Sequence, residues 1–202
     1  MLFTSKYLIP CAYFGPIGYF AHIAQKECCI EVCDYFTKQS IRNRCRIYGA
    51  NGTLLLTVPK IRKNSSKTIF KDLRISYDWN WQKEHWQSIV SAYRASPYFE
   101  YYEDELYCLI HTKYQFLIDL NLEVSQFICS NLGLTKKLIV SEKYEATSSF
   151  IDLRNHTFEQ ERLNQYEQVF ENKHGFLANL SILDLFLNEG KNSKAYLESI
   201  QL

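Results

Sequence analysis

The chain has 202 residues, of which 47% are hydrophobic and 15% aromatic, and its formal net charge is +1. This length and composition predict one domain with a substantial buried core and exclude a disordered protein. No run of about 18 apolar residues occurs, so the sequence predicts no membrane-spanning helix. Seven cysteines, an odd number, and an N-terminal apolar stretch interrupted by prolines and glycines predict a protein of the reducing cytoplasm with no cleaved signal peptide.

The N-terminal segment predicts a strand, a short helix and a second strand. The run KYLIPCAYF (6–14) is apolar enough for a buried strand, and CCIEVCD (28–34) is a second such run. Between them, GPIGYFAHIAQ (15–25) spaces its large apolar residues as one stripe of a helix. The order strand, helix, strand is typical of a parallel crossover unit.

The segment SIRNRCRIYGANGTLLLTVPK (40–60) predicts a β-hairpin. Its Asn51–Gly52 dipeptide favours a type I′ turn, which requires positive φ at both central residues. The sequence leaves two pairing registers open. Ile47 lies opposite Leu56 if the loop has two residues and opposite Leu54 if the loop is longer.

Three arginines of this segment, Arg42, Arg44 and Arg46, are two residues apart, which is the spacing of side chains on one face of a strand. Both registers direct them away from the apolar face. Between Arg42 and Arg74 the chain carries nine basic residues and one acidic residue. The arginine face is therefore either an anion-binding site, which the basic loop Lys60–Lys67 could close over, or a solvated face that needs no partner.

The rest of the chain predicts a further strand, three helices, a polar segment and a C-terminal strand–helix–helix. The strand is IFKDLRISY, and the helices are WQKEHWQSIVSAYRAS capped by Asp78 or Asn80, YFEYYEDELYCLI, and one ended by Gly133. The polar segment 142–166 lacks periodicity and predicts a mobile loop or lid. Beyond it, YEQVF predicts a strand, LSILDLFLNEG a helix capped by Ser181 and closed by Gly190, and SKAYLESI a terminal helix.

The sequence contains no Walker loop and no G-x-G-x-x-G, H-E-x-x-H or G-x-S-x-G motif, so none of these motifs indicates a reaction. The first of three clusters that can carry chemistry is either an anion site or a row of exposed strand charges: Gln39, Arg42, Asn43, Arg44 and Arg46. The second is His85 with Trp86, which is either an acid–base group or a boundary histidine bound to a backbone carbonyl. The third is either a sugar-stacking wall or a set of core aromatics: Tyr93, Tyr98, Phe99, Glu100, Tyr101 and Tyr102. His85 falls at the edge of a predicted helical stripe formed by Trp86, Ile89, Val90 and Tyr93.

Four blocks in order resemble the WbqC-like family of bacterial proteins, in particular its shorter Bacteroidetes members. The blocks are AYFGPIGYFAHIA, KQSIRNRCRIYGANGTLLLTVP, WQKEHWQSIVSAYRASPYFEYYEDEL, and YEQVF with FLANLSILDLFLNEG. The resemblance implies a role in surface-polysaccharide or other glycan biosynthesis, without implying a reaction. It marks as motif positions Gln39, Arg42, Asn43, Arg44, His85, Trp86, Tyr93, Pro97, Asn179, Ser181 and Asp184. Many relatives carry a His-Gln-Pro-Asn run where this chain has Ile9–Ala12, which puts chemistry at that histidine in doubt here.

Together these observations predict an α/β fold with a mixed sheet, an N-terminal strand–helix–strand unit, a β-hairpin and a helical middle section, in a single domain over residues 1–202. The predicted function is group transfer from an anionic donor, a nucleotide sugar or an acyl donor. Arg42 and Arg44 would hold the anion, with Gln39, Asn43, Trp86 and Tyr93 as further substrate contacts and His85 as the catalytic base. The alternative is a non-enzymatic binding protein for an anionic glycan, protein or nucleic acid. Nucleic acid is the less favoured partner because the aromatic residues are not interleaved with the basic run. No cofactor, metal or oligomeric state is indicated.

Overall fold

The computed structural model describes residues 6–61, 67–134, 138–145, 150–159 and 163–202. The strands are β1 (Lys6–Pro10), β2 (Cys28–Glu31), β3 (Arg44–Gly49), β4 (Gly52–Thr57), β5 (Ile139–Val140) and β6 (Phe150–Asp152). The helices are α1 (Ile17–Gln25), α2 (Trp81–Tyr93), α3 (Phe99–His111), α4 (Leu117–Asn131), α5 (Glu171–His174), α6 (Ile182–Glu189) and α7 (Ser193–Ser199), with single 3₁₀ turns at Phe70–Asp72 and Gly190–Asn192.

The central element is a four-stranded parallel sheet in the order β5-β2-β1-β6. Leu8 of β1 pairs with Cys29 of β2 on one side and with Asp152 of β6 on the other. The β1–α1–β2 unit confirms the predicted strand–helix–strand, and the α/β fold class is confirmed. Parallel and antiparallel pairs do not share a sheet, because the β3–β4 hairpin forms a separate two-stranded sheet.

The hairpin adopts the register in which Ile47 lies opposite Leu54. Gly49 pairs with Gly52, so this register has a two-residue loop and not the longer loop predicted for it. Ala50 and Asn51 form the turn, and Gly52 takes a φ of +98°. The predicted type I′ turn is therefore wrong, because only the second residue of the Asn51–Gly52 pair has a positive φ. The glycine instead follows the turn, as in a type I turn with a G1 bulge.

The helices of the middle section match their predictions. The Asn80 side chain accepts a hydrogen bond from the Lys83 backbone at 3.2 Å and caps α2, and Gly133 follows α4 with a φ of +63°. The Ser181 hydroxyl caps α6 by accepting from the Leu183 N–H at 3.3 Å. Among the described residues, no helix is long and apolar enough to cross a membrane.

Two predicted strands are wrong, and part of a predicted loop is a strand. Residues 69–77 contain a 3₁₀ turn and isolated bridges, and residues 166–170 are irregular, so neither forms the predicted strand. Within the polar segment 142–166, residues 150–152 form β6 and pair with β1. Residues 146–149 and 160–162 of that segment, and 62–66 of the predicted basic loop, lie outside the described residues.

Candidate functional site

A cavity of about 460 Å³ lies beyond the carboxyl ends of β1 and β6. Strand β2, which follows β1 in the chain, lies on one side of β1, and β6 lies on its other side. The strand order therefore reverses next to β1. Open α/β sheets bind ligands at such positions. The lining comprises Phe14 and Pro16 after β1, residues 37–42 after β2, residues 154–157 and Glu159 after β6, residues 44–46, 53 and 55 of the hairpin, and Asn179 and Ser181 before α6.

Arg42 is the most buried cation of this cavity, with 2% of its side chain exposed. It lies in the turn 41–43 that precedes β3. Its Nη2 donates to the Arg154 carbonyl at 3.4 Å and lies 4.0 Å from the nearest Asp34 oxygen. Its Nε has no hydrogen-bond partner within the described part of the chain. The prediction that Arg42 points away from the core on a strand is therefore wrong, because strand alternation begins only at Arg44.

Arg44 and Arg46 lie on the cavity side of β3, as the two-residue spacing predicts. Arg46 is 55% exposed and pairs with Glu159 at 2.6 Å. Arg44 has a buried Nε without a hydrogen-bond partner and forms no ion pair among the described residues. Arg42 and Arg44 thus both belong to the cavity lining, and each has a buried Nε without an acceptor among the described residues.

Arg154 lines the cavity and is held in place by two neighbours, Asp152 and Tyr144. Its Nε and Nη2 donate to the two Asp152 carboxylate oxygens at 2.9 and 2.8 Å, and its guanidinium lies 4.9 Å from the Tyr144 ring centre. This bidentate pair lowers the pKa of Asp152 and raises that of Arg154. Arg154 is therefore a satisfied cation, and the carbonyl that it presents to Arg42 is fixed.

The backbone around the cavity is strained. Phe14, Gln39, Phe158 and Asn179 are the non-glycine residues with positive φ in the described chain, at 40°, 57°, 57° and 57°. Three of them line the cavity, and Phe158 lies between the lining residues Thr157 and Glu159. An aromatic residue in this region is a genuine conformational outlier, and such strain is concentrated at binding and catalytic sites.

The remaining polar lining residues add the Lys38 ammonium group, neutral polar groups and one imidazole. His156 Nδ1 accepts a hydrogen bond from the Phe158 N–H at 3.0 Å, so its neutral form carries the proton on Nε2. Asn179 donates from Nδ2 to the Glu159 carbonyl at 2.9 Å, and its buried Oδ1 has no donor among the described residues. The cavity can therefore accept hydrogen bonds from a ligand as well as donate to one.

His85 does not lie in this cavity. It is 4% exposed and belongs to the buried row Trp81, His85, Ile89 and Ala92 of α2, so its predicted position at the edge of the stripe is wrong. Its Nδ1 lies 3.0 Å from the Tyr13 hydroxyl. Burial lowers the pKa of His85 to about 4, although a hydrogen bond to the Thr57 backbone raises it. These contacts are those of a packed, neutral imidazole, and its role as a catalytic base stays a prediction.

The other predicted substrate contacts divide between the cavity and the core. Gln39 lines the cavity, whereas Asn43, Trp86 and Tyr93 do not. Asn43 donates to the Val58 carbonyl at 3.0 Å, and the Tyr93 hydroxyl accepts from the Tyr48 N–H at 3.2 Å. Trp86 of α2 packs against the α3 residues Phe99, Tyr107 and His111. The predicted sugar-stacking wall is not assembled either, because its members Tyr93, Phe99 and Tyr102 are buried in the hydrophobic core.

Asp184, a motif position implied by the family resemblance, is completely buried. Its Oδ2 accepts from the Tyr166 hydroxyl at 2.6 Å and from the Gln168 amide at 2.8 Å. Burial raises the pKa of Asp184. The residue joins α6 to the preceding segment and lies apart from the cavity.

Sequence reasoning missed Lys38, Arg154 and His156 as cavity residues. Arg154 and His156 lie in the non-periodic polar segment, and only the pairing of β6 with β1 brings them to the site. Among the described residues, no group of three or more His, Cys, Asp or Glu side chains could hold a metal ion.

Comparison with known proteins places the chain in a family. Its sequence is 27% identical over 216 aligned positions to the uncharacterized protein Rv1507c of Mycobacterium tuberculosis, and the alignment covers 89% of this chain and 91% of the relative. No solved structure matches the chain. A model of the WbqC-like protein family matches residues 11–155, which include strands β2 to β6 and helices α1 to α4 and end at Asn155 of the cavity lining. The chain belongs to the WbqC-like protein family.

Proposed function

We propose that this protein binds an anionic small molecule in the cavity formed by Arg42 and Arg44 and acts in the biosynthesis of a bacterial surface polysaccharide or another glycan. In the favoured form of this proposal it is an enzyme that transfers a group from a phosphate-bearing donor such as a nucleotide sugar. The observation that carries the proposal is the pair of arginines in the lining, Arg42 and Arg44, whose buried Nε groups have no hydrogen-bond acceptor within the described ranges of the chain.

A buried arginine without a close acceptor is costly for a fold. Burial lowers the pKa of Arg42, and its nearest carboxylate oxygen is at 4.0 Å. Buried charges are normally paired at hydrogen-bonding distance. An anionic ligand would supply the missing acceptors, and guanidinium groups bind phosphate and carboxylate groups bidentately. The volume of about 460 Å³ is in the range that accommodates one small molecule rather than a polymer.

One observation favours the alternative, a binding protein without enzymatic activity. The predicted base His85 is packed in the core, which leaves His156 as the imidazole that lines the cavity. If the protein is an enzyme that uses a histidine for proton transfer, the cavity favours His156 for that role. If the protein only binds its ligand, neither the wild type nor His156→Gln should turn the ligand over.

The test is a binding screen by ligand-observed NMR followed by calorimetry, with a panel of nucleotide sugars, acyl-nucleotides, phosphosugars and carboxylated sugars. A charge-assisted hydrogen bond contributes about 1.5–3 kcal/mol. Arg44→Gln should therefore weaken binding by roughly ten- to a hundredfold. The matched control is Arg94→Gln, because Arg94 is exposed and lies outside the cavity. Equal binding by the wild type and Arg44→Gln would contradict the proposal.

A further inference from the structure

The charges around the cavity do not cancel. Arg46 is neutralised by Glu159, and Arg154 by Asp152. Lys38, Arg42 and Arg44 also line the cavity, and against them stands only Asp34, at 4.0 Å from Arg42 among the described residues. Three positive charges therefore face one negative charge, which leaves an excess of two.

From this excess we infer that the ligand carries phosphate with a total of two negative charges, either as a phosphate monoester or as a diphosphate diester. This inference rests on the proposed function and names the chemical class of its ligand. A carboxylate or a sulfate ester has one negative charge and would leave one cation uncompensated. A phosphate monoester approaches two negative charges near neutral pH, since its second pKa is about 6.

The hydrogen-bonding groups fit the same ligand class. Arg42 and Arg44 are lining residues with a buried Nε that has no acceptor in the part of the chain that the structure describes, and a phosphoryl group offers several acceptor oxygens in a small volume. Farther along the lining, the buried Oδ1 of Asn179 has no donor among the described residues, and the neighbouring Ser181 hydroxyl donates to the Phe14 carbonyl at 2.8 Å. A hydroxyl group of the ligand would satisfy Asn179. A phosphorylated sugar combines both features.

The test uses two small anions of the same shape and different charge, methyl phosphate and methyl sulfate, at about pH 8, where the phosphate ester is a dianion. The Arg42 and Arg44 Nε–H signals are followed by NMR of the ¹⁵N-labelled protein. Methyl phosphate should shift both signals saturably and bind at least about tenfold more tightly than methyl sulfate. Equal binding of the two anions, or no saturable shift with methyl phosphate, would overturn the inference.

A second variant tests the charge count in the opposite direction. Asp34→Asn keeps the shape of the side chain and removes the negative charge that faces Arg42. It should therefore tighten methyl phosphate binding by several-fold, an effect that a merely structural role of Asp34 would not produce. Weaker binding by this variant would also contradict the inference.

These results separate the inference from the proposed function. If a carboxylated sugar of the screening panel binds and Arg44→Gln abolishes its binding, the anion site stands even when methyl phosphate fails. If neither kind of anion binds, both the inference and the proposed function are wrong.

Discussion

Replacing Arg42 by methionine should abolish anion binding without destabilising the fold. Methionine is unbranched and apolar, so it can follow the buried stem of the arginine. The substitution removes a charge whose contacts are long, 3.4 Å to the Arg154 carbonyl and 4.0 Å to Asp34. It leaves the Arg42 backbone carbonyl in place as the acceptor for Asn121 at 2.8 Å.

The expected magnitude follows from those distances. Replacing a buried ion pair by apolar groups is often neutral or stabilising, by about 1–4 kcal/mol, whereas breaking a well-formed buried pair costs about 3–5 kcal/mol. Arg42→Met removes only one partner of the Arg42–Asp34 contact, but that contact is long, at 4.0 Å, and 24% of the Asp34 side chain is exposed, so the substitution leaves no fully buried charge unpaired. We therefore expect Arg42→Met to change the free energy of unfolding by no more than about 1 kcal/mol, or to increase it. For a protein of this size, 1 kcal/mol corresponds to about 2–4 °C in Tm.

Arg154→Met is the matched contrast, because it makes the same chemical change at a satisfied arginine. Arg154 donates to both Asp152 carboxylate oxygens at 2.8–2.9 Å, and its loss leaves that carboxylate unpaired. Since Asp152 is partly exposed, we expect a loss of about 2–4 kcal/mol. Urea unfolding of the three proteins measures both effects. A loss of about 3 kcal/mol or more in Arg42→Met would show that Arg42 is a structural residue, and it would refute the argument from unsatisfied donors.

Three further predictions concern stability and thiol chemistry. Burial lowers the pKa of His85 to about 4, whereas the pKa in the unfolded chain is about 6.5. The free energy of unfolding should therefore fall by up to roughly 3 kcal/mol as the pH falls from about 6.5 to about 4. His85→Gln should remove this acid-dependent loss of stability, and an unchanged pH profile would contradict the prediction. Glu31→Gln should cost about 1–3 kcal/mol, since Glu31 accepts hydrogen bonds from Cys33, Ser141 and Glu145 at 2.7–2.9 Å, while exposed Glu27→Gln should change stability by less than about 0.5 kcal/mol. None of the seven cysteines forms a disulfide, so thiol labelling should modify the exposed Cys108 first in the native protein and all seven after unfolding, and a native disulfide would refute this.

The sequence predicts best where local signals agree with the tertiary structure. Helices α2 and α6 combine apolar periodicity with side-chain caps at Asn80 and Ser181, and both begin at the residue after the cap. Arg42 and Arg44 both line the cavity, but strand spacing accounts only for Arg44 and Arg46. Gln39 has a positive φ and residues 41–43 form a turn, so alternation does not extend back to Arg42.

The rest of the site depends on long-range pairing. Strand β6 has three residues and no period-2 pattern, and its placement beside β1 is what positions Arg154 and His156. The sequence predicts that α2 buries the stripe through Trp86, but the helix buries the adjacent row through His85. Both rows of residues have similar helical spacing, so periodicity does not distinguish them. Packing against Tyr13 and the hairpin decides between them, and a single sequence does not contain that information.

The most direct test of the central claim is a crystal structure of the protein bound to the tightest ligand of the screening panel. The anionic group should lie within hydrogen-bonding distance of Arg42 Nε and Arg44 Nε, beyond the carboxyl ends of β1 and β6. An anionic group bound elsewhere, for example in the groove between the hairpin turn and α2, with both arginines uncontacted, would contradict it.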